Sequence, residues 1–300
     1  MNIVHDHKLD IYRSTAQMSD GSMSGVHFGS VDVPVKMVFL HANGFNGLTY
    51  RNILAPLGVH ILALDLRGHG RTQLPTDDLH LTSHINYAKN LAAYLQAHIA
   101  GPVILAGHSL GANAAILAAN IVPEKVVRVL AFDPIVLPFH IRLIMMSKFG
   151  RDALLRNYPF AKNAGRRRDV FATREDVFKR YHGRGPFKHF PPDVLKDYIH
   201  DGFTDCAQGV KLACRPEWEQ YSYVHQGQKM KPRIANLPKG SHVILTDFIK
   251  QSEGWMVKTR RKNPSLRIDY QPELDHFFPV TKPEISSAAL RNILATGSGL

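Results

Sequence analysis

The sequence predicts an α/β protein, a mostly parallel sheet with helices on both faces and a long segment inserted before its last two strands. Short runs that are apolar at nearly every position recur at residues 35–40, 59–64, 103–106 and 126–132, with helical stretches between most of them. Strands without a polar face belong to parallel sheets buried on both sides. That rhythm stops near Leu137 and resumes at His242. The length of 300 residues, 44% of them hydrophobic and 21% charged, suits a soluble globular chain with a well-buried core.

In chain order, residues 8–13 and 24–29 read as an antiparallel hairpin at a sheet edge, with Ser19-Asp20-Gly21-Ser22 as the turn. The strand over 35–40 runs into His41-Ala42-Asn43-Gly44-Phe45-Asn46-Gly47, and residues 49–57 form a short helix. The strand over 59–64 ends in Asp65-Leu66-Arg67-Gly68-His69-Gly70-Arg71. Thr82 or Ser83 caps a helix with Ile85, Leu91, Ala92 and Leu95 on its apolar stripe, and Gly101-Pro102 stops it. The strand from Val103 leads into a small-residue helix, and the strand over 126–132 closes on Asp133-Pro134. Residues 137–236 hold amphipathic helical pieces, proline breaks and many aromatics, and read as an insertion lying over the sheet. A strand over 242–246, a helix over 251–261, a strand over 266–270 and a helix over 282–294 complete the pattern.

Chemistry concentrates at Gly107-His108-Ser109-Leu110-Gly111, where an apolar strand turns sharply into a helix. A serine on such a turn is held with its hydroxyl above the strand end, and glycines two positions to either side let strand and helix pass closely. The following helix N-terminus supplies N–H groups and a partial positive charge where an oxyanion would form. A serine nucleophile also needs a histidine base oriented by a carboxylate. Of 17 histidines, His276 is the candidate, because its loop follows the last strand and opens on the same sheet edge as Ser109. Asp247, ending the preceding strand, is the first choice of acid; Asp133 is the alternative and Glu253 a third candidate. The backbone N–H groups of Leu110 and Phe45 are the expected oxyanion donors. His108, next to the serine on a turn, is expected to point elsewhere.

On these residues the chain resembles the α/β-hydrolase superfamily over nearly its whole length. Gly107-His108-Ser109-Leu110-Gly111 resembles that family's nucleophile elbow, Asn43-Gly44-Phe45 its oxyanion loop, and Asp275-His276-Phe277 its histidine loop. Asp65-Leu66-Arg67-Gly68-His69-Gly70 is similar to a structural loop of the family. The resemblance implies an eight-stranded, mostly parallel sheet flanked by helices, with a helical cap over residues 137–236 inserted after the sixth strand; residues 1–136 and 237–300 form the core. It also implies a serine hydrolase cleaving a carboxylic ester or related acyl bond of a small apolar substrate through an acyl-Ser109 intermediate. Thioesterase, carbon–carbon hydrolase and acyltransferase activities use the same machinery, and a non-catalytic binding protein could keep the fold. The family's usual segment before the acid is shortened at Leu245-Thr246-Asp247-Phe248.

The inserted segment sets specificity in this reading. Phe139, Leu143, Met145, Met146, Phe149, Tyr158, Phe160, Phe171, Phe178 and Tyr181 suggest an apolar pocket, while its arginines suit a carboxylate or phosphate on the substrate. The formal net charge of +12 concentrates at Arg166-Arg167-Arg168, Arg174, Lys179-Arg180, Arg184 and Lys188, and again over residues 258–262. No nucleic-acid module accompanies it, so a solvated basic face or attraction of anionic substrates or an anionic membrane surface are the readings. No paired-ligand spacing calls for a metal and no motif for a cofactor. Cys206 and Cys214 fit a reducing compartment, and Met1-Asn2-Ile3-Val4-His5-Asp6-His7-Lys8 lacks a signal peptide's apolar segment, so a cytoplasmic location is expected.

Overall fold

A computed structural model describes residues 1–295. Strands β1 (Asn2–Asp6), β2 (Ile11–Met18), β3 (Gly21–Phe28), β4 (Met37–Leu40), β5 (Ile61–Leu64), β6 (Val103–His108) and β7 (Val126–Phe132) come before the insertion. The insertion adds β8 (Val170–Phe171), β9 (Phe203–Cys206) and β10 (Gly209–Leu212); β11 (His242–Leu245) and β12 (Arg267–Tyr270) follow it. The main sheet has the order β1-β2-β3-β5-β4-β6-β7-β11-β12. β1 to β3 form an antiparallel meander on β5, and every pairing from β5 to β12 is parallel.

The main sheet therefore has nine strands, one more than the resemblance implies. The extra strand is β1, whose Asn-Ile-Val-His-Asp sequence has no buried residue and owes its conformation to pairing with β2. The insertion is not purely helical either. Phe203, Val210 and Leu212 alternate with exposed or half-exposed neighbours, the period-2 pattern of a strand, and β8-β10-β9 form a small antiparallel sheet.

The middle of the main sheet is the core. Every residue of β4, β5 and β6 is buried, and each fully buried Leu, Ile or Val contributes about 1.5–3 kcal/mol. Helix Leu110–Ile121, rich in alanine, packs against the sheet, and helix His84–His98 packs on it. Helix Met230–Ala235, assigned to the cap from sequence, instead packs on Leu110–Ile121 and Glu253–Lys262, with Met230 and Ile234 in the core cluster.

The rest of the insertion is tied to the core. Asp201, at the end of helix Pro192–Gly202, accepts two hydrogen bonds from Arg13 on β2, at 2.6 and 3.1 Å, and one from Arg71 at 3.1 Å. All three groups are charged, and Asp201 and Arg13 are buried, so removing one member would strand a charge inside the protein. Asn46 Nδ2 donates to Tyr198 O at 2.9 Å, and Asn43 Nδ2 to Glu219 O at 2.9 Å. Among the described residues no helix is long and apolar enough to cross a membrane. Cys206 and Cys214 are both free thiols.

Candidate active site

The turn at Ser109 is held by sterics. Its backbone has φ 55° and ψ −114°, unusual for a residue with a side chain. A Cβ on Gly107 would come within 2.6 Å of the Gly111 backbone, and one on Gly111 within 2.1 Å of Leu40 O. Both glycines are required where the departing helix crosses the ends of β4 and β6. Ser109 N–H donates to Phe132 O at 2.9 Å, which locks the turn onto β7.

His276 lies in the loop after β12. Its Nε2 is 3.0 Å from Ser109 Oγ, and its Nδ1 is 2.5 Å from Asp133 Oδ2. Asp133 follows β7 with φ 45°, and its N–H donates to Ile244 O at 2.7 Å. Its carboxylate also accepts Thr246 N–H at 2.8 Å and Thr246 Oγ1–H at 2.7 Å. Burial alone would raise the Asp133 pKa, but the His276 and Thr246 hydrogen bonds outweigh it and hold the carboxyl below its usual range. Serine, imidazole and an ionised carboxylate in this order can pass a proton from the hydroxyl to the ring.

The first-choice acid, Asp247, is not on the histidine. Its exposed carboxylate accepts Tyr270 Oη–H at 2.6 Å. The strand-end geometry explains the exchange: β7 and β11 are neighbours, so both loops open beside His276, but Thr246 turns inward to Asp133 and leaves Asp247 facing out. Glu253 starts helix Glu253–Lys262, where it is exposed. Phe248, next to Asp247, is the residue that reaches the site, its ring stacked on His276 at 3.9 Å between centroids.

The loop after β4 is immobilised by two buried neutral histidines. His41 Nδ1–H donates to Ala42 O at 2.8 Å while its Nε2 accepts Leu66 N–H at 2.9 Å. His69 Nδ1–H donates to Arg67 O and its Nε2 accepts Gly44 N–H at 3.0 Å. Burial pushes His41 well below its ordinary pKa and His69 down to about 4, so both rings stay uncharged. The Phe45 N–H, expected as an oxyanion donor, is instead spent on Ala42 O at 3.1 Å in a tight turn. Between Ala42 and Phe45, only the Asn43 N–H has no acceptor among the described residues. Asn43 lines the same cavity as Ser109 and Leu110.

His108 points away from Ser109, as its place on the turn requires, yet it belongs to the site. Its Nε2–H donates to His276 O at 2.7 Å, so its Nδ1 must accept from Tyr50 Oη–H at 2.8 Å. Tyr50 Oη in turn accepts Ala42 N–H at 3.2 Å. A hydrogen-bonded chain thus joins the loop after β4 to the backbone of His276. Burial, then repulsion by His276, lowers the His108 pKa to about 3 and keeps the ring neutral in this chain. Sequence reasoning passed over Tyr50, His108 and Phe248; the histidine inside the five-residue turn was the available signal.

These groups open into a cavity of about 540 Å³ between sheet and insertion. Tyr158, Phe160, Phe171 and Tyr181 line it as the sequence suggests, but Phe139, Leu143, Met146 and Phe149 are exposed on the outer surface. Helix Phe139–Met146 and, at Phe149, helix Lys148–Asn157 present apolar residues outward, and Met145 and Phe178 do not line the cavity either. Inside, Arg167 is paired with Glu219 and donates to Tyr198 Oη at 2.6 Å and Tyr181 Oη at 3.2 Å. Among the described residues, no three His, Cys, Asp or Glu side chains group as metal ligands would.

A sequence model of the alpha/beta hydrolase family matches residues 37–284, which span the serine turn, both carboxylate loops and His276. The chain belongs to the alpha/beta hydrolase family. It is similar to 2-(acetamidomethylene)succinate hydrolase of Mesorhizobium japonicum, at 25% identity over 262 residues, 86% of this chain and 87% of that one. It is 30% identical to an esterase of Mycobacterium tuberculosis over 170 residues, 53% of this chain and 55% of that one. A crystal structure of E-2-(acetamidomethylene)succinate hydrolase superposes with a TM-score of 0.75 at 22% identity, covering 95% of this chain and 99% of that one. This alpha/beta hydrolase is an enzyme of the hydrolase and esterase type.

Proposed function

We propose that this alpha/beta hydrolase is a serine hydrolase that cleaves a carboxylic ester or related acyl bond through an acyl-Ser109 intermediate. The observation that carries the reading is the unbroken line Ser109 Oγ–His276 Nε2 at 3.0 Å and His276 Nδ1–Asp133 Oδ2 at 2.5 Å. His276 removes the Ser109 proton as Oγ attacks the acyl carbon, and Asp133 holds the ring with its proton on Nδ1 and stabilises the imidazolium. The tetrahedral oxyanion is received by the N–H groups of Leu110 and Asn43, each of which typically contributes about 10²–10³ in rate. Phe248 packs flat on the imidazole and limits its rotation. His276 returns the proton to the leaving group, then activates the water that releases the acid. The aromatic walls of the cap accept the apolar body of the substrate.

The relatives support the hydrolase and esterase class. A succinate-derived amide named for one of them extends the reading from esters to related acyl bonds. The test is labelling with a serine-reactive fluorophosphonate. Wild type is expected to label and Ser109→Ala to remain blank. A wild type that stays unlabelled where known serine hydrolases react, or label that survives in Ser109→Ala, rejects the mechanism.

A further inference from the structure

Five arginines and a single carboxylate line the cavity that holds Ser109 and His276: Arg166, Arg167, Arg168, Arg180, Arg184 and Glu219. Their states differ. Arg167 is neutralised by Glu219 and held by two tyrosine hydroxyls. Arg168 donates to Val170 O at 2.7 Å and lies over the Phe171 ring. Arg166, Arg180 and Arg184 make no side-chain hydrogen bond or ion pair among the described residues, and all three are exposed where they line the cavity. Three unpaired guanidinium groups in one cleft with low-dielectric walls focus a positive potential on whatever enters. Each presents the planar fork that matches a carboxylate or phosphate.

We propose that Arg166, Arg180 and Arg184 form an anion-recognition subsite, and that the substrate is an acyl compound with a carboxylate at the end remote from the scissile bond. The proposal rests on the reading of Ser109 as nucleophile and adds the substrate class to it. The aromatic residues that line the same cavity, Tyr158, Phe160, Phe171 and Tyr181, suit a short apolar spacer. Arg167 belongs to the wall, because its charge is already matched by Glu219. A bare apolar acyl chain would leave the three guanidinium groups without a function in the cavity, and a phosphate would bind the same fork.

The test uses the full chain and two nearly isosteric esters, mono-p-nitrophenyl glutarate and p-nitrophenyl valerate, which differ in a terminal carboxylate against a methyl. The expected result is a kcat/KM preference of about tenfold or more for the glutarate ester. That preference should shrink severalfold as ionic strength rises from about 0.02 to about 0.5 M. The triple variant Arg166→Gln, Arg180→Gln, Arg184→Gln should bring the ratio near one, whereas Lys258→Gln with Arg261→Gln, outside the cavity, should keep it. Calorimetry of glutarate on Ser109→Ala protein tests the subsite without chemistry, with saturable binding expected and its loss in the triple variant. Equal or better use of the valerate ester, a preference unchanged in the triple variant, or no glutarate binding overturns the proposal while leaving the serine hydrolase reading intact. Inorganic phosphate that competes as well as glutarate overturns the carboxylate assignment. If glutarate binds but neither ester is cleaved and Ser109 resists fluorophosphonate, the nucleophile reading fails and the subsite stands.

Discussion

Replacing Asp133 with asparagine separates the two candidate acids. Asp133 Oδ1 accepts Thr246 N–H, a backbone donor that cannot rotate, and Oδ2 accepts His276 Nδ1–H and Thr246 Oγ1–H. A carboxamide has one oxygen. With that oxygen on the Thr246 amide, its NH₂ faces His276 Nδ1 and can be satisfied only if Nδ1 becomes the acceptor. The imidazole proton then moves to Nε2, the atom 3.0 Å from Ser109 Oγ, which can no longer take the serine proton. The wrong tautomer should lower kcat by about 10⁴, or about 5.4 kcal/mol of transition-state stabilisation. Losing the charge-assisted bond to a buried partner should cost a further 1.5–3 kcal/mol or so of folding stability. Asp247→Asn alters only an exposed acceptor for Tyr270 Oη–H, so its kcat/KM should stay within about twofold of wild type. The assay is p-nitrophenyl ester hydrolysis with circular dichroism to check folding. A folded Asp133→Asn that keeps more than about a tenth of wild-type kcat, or an Asp247→Asn that falls as far, would refute this assignment.

Three further outcomes follow from the packing. Tyr50→Phe cuts the chain between Ala42 N–H and His108, and should lower kcat about tenfold with little change in KM; an unchanged kcat would show that the chain does not position His276. Gly111→Ala places a methyl 2.1 Å from Leu40 O and should cost more than about 2 kcal/mol or prevent folding, whereas Gly101→Ala meets nothing within 4 Å and should be near neutral; denaturant melts compare them. Asp133 and Asp201 are both held below the ordinary carboxylate range, Asp133 by His276 and Thr246, Asp201 by His200 and Arg13, against the opposing effect of burial. On acidification the unfolded chain therefore binds protons first, so the stability these two groups supply is fully present above about pH 5 and is lost as pH falls through their folded values; urea midpoints should drop between about pH 5 and pH 3, and a profile flat over that window would contradict the shifts.

The parallel half of the sheet was legible because β4, β5, β6 and β7 carry apolar residues on both faces in runs too short for a helix buried on every side. Ser109 was legible for a related reason: the clash distances at Gly107 and Gly111 leave no other residue type at those positions. His276 could be placed by topology alone, since a loop after the last strand can open only on one edge. The acid could not. Asp133 and Asp247 end adjacent strands, and the choice between them depends on which way Thr246 turns, a side-chain direction that no spacing encodes. Phe45 N–H was misjudged because a single turn bond to Ala42 O consumes it. The strand Asn2–Asp6 was missed because an edge strand without buried residues carries no hydrophobic period.

The ties between Asp201, Arg13 and Arg71, with Asn46 on Tyr198 and Asn43 on Glu219, bear on how a substrate reaches Ser109. They fasten the insertion to β2, to the loop after β5 and to the loop after β4, so a swinging motion of the whole roof would have to break buried charges and disturb Asn43 itself. Rigid-body displacement of the insertion is therefore the costly motion for this chain. The fastening of the roof and the shape of the catalytic floor are one set of bonds, so a substitution that loosens one disturbs the other.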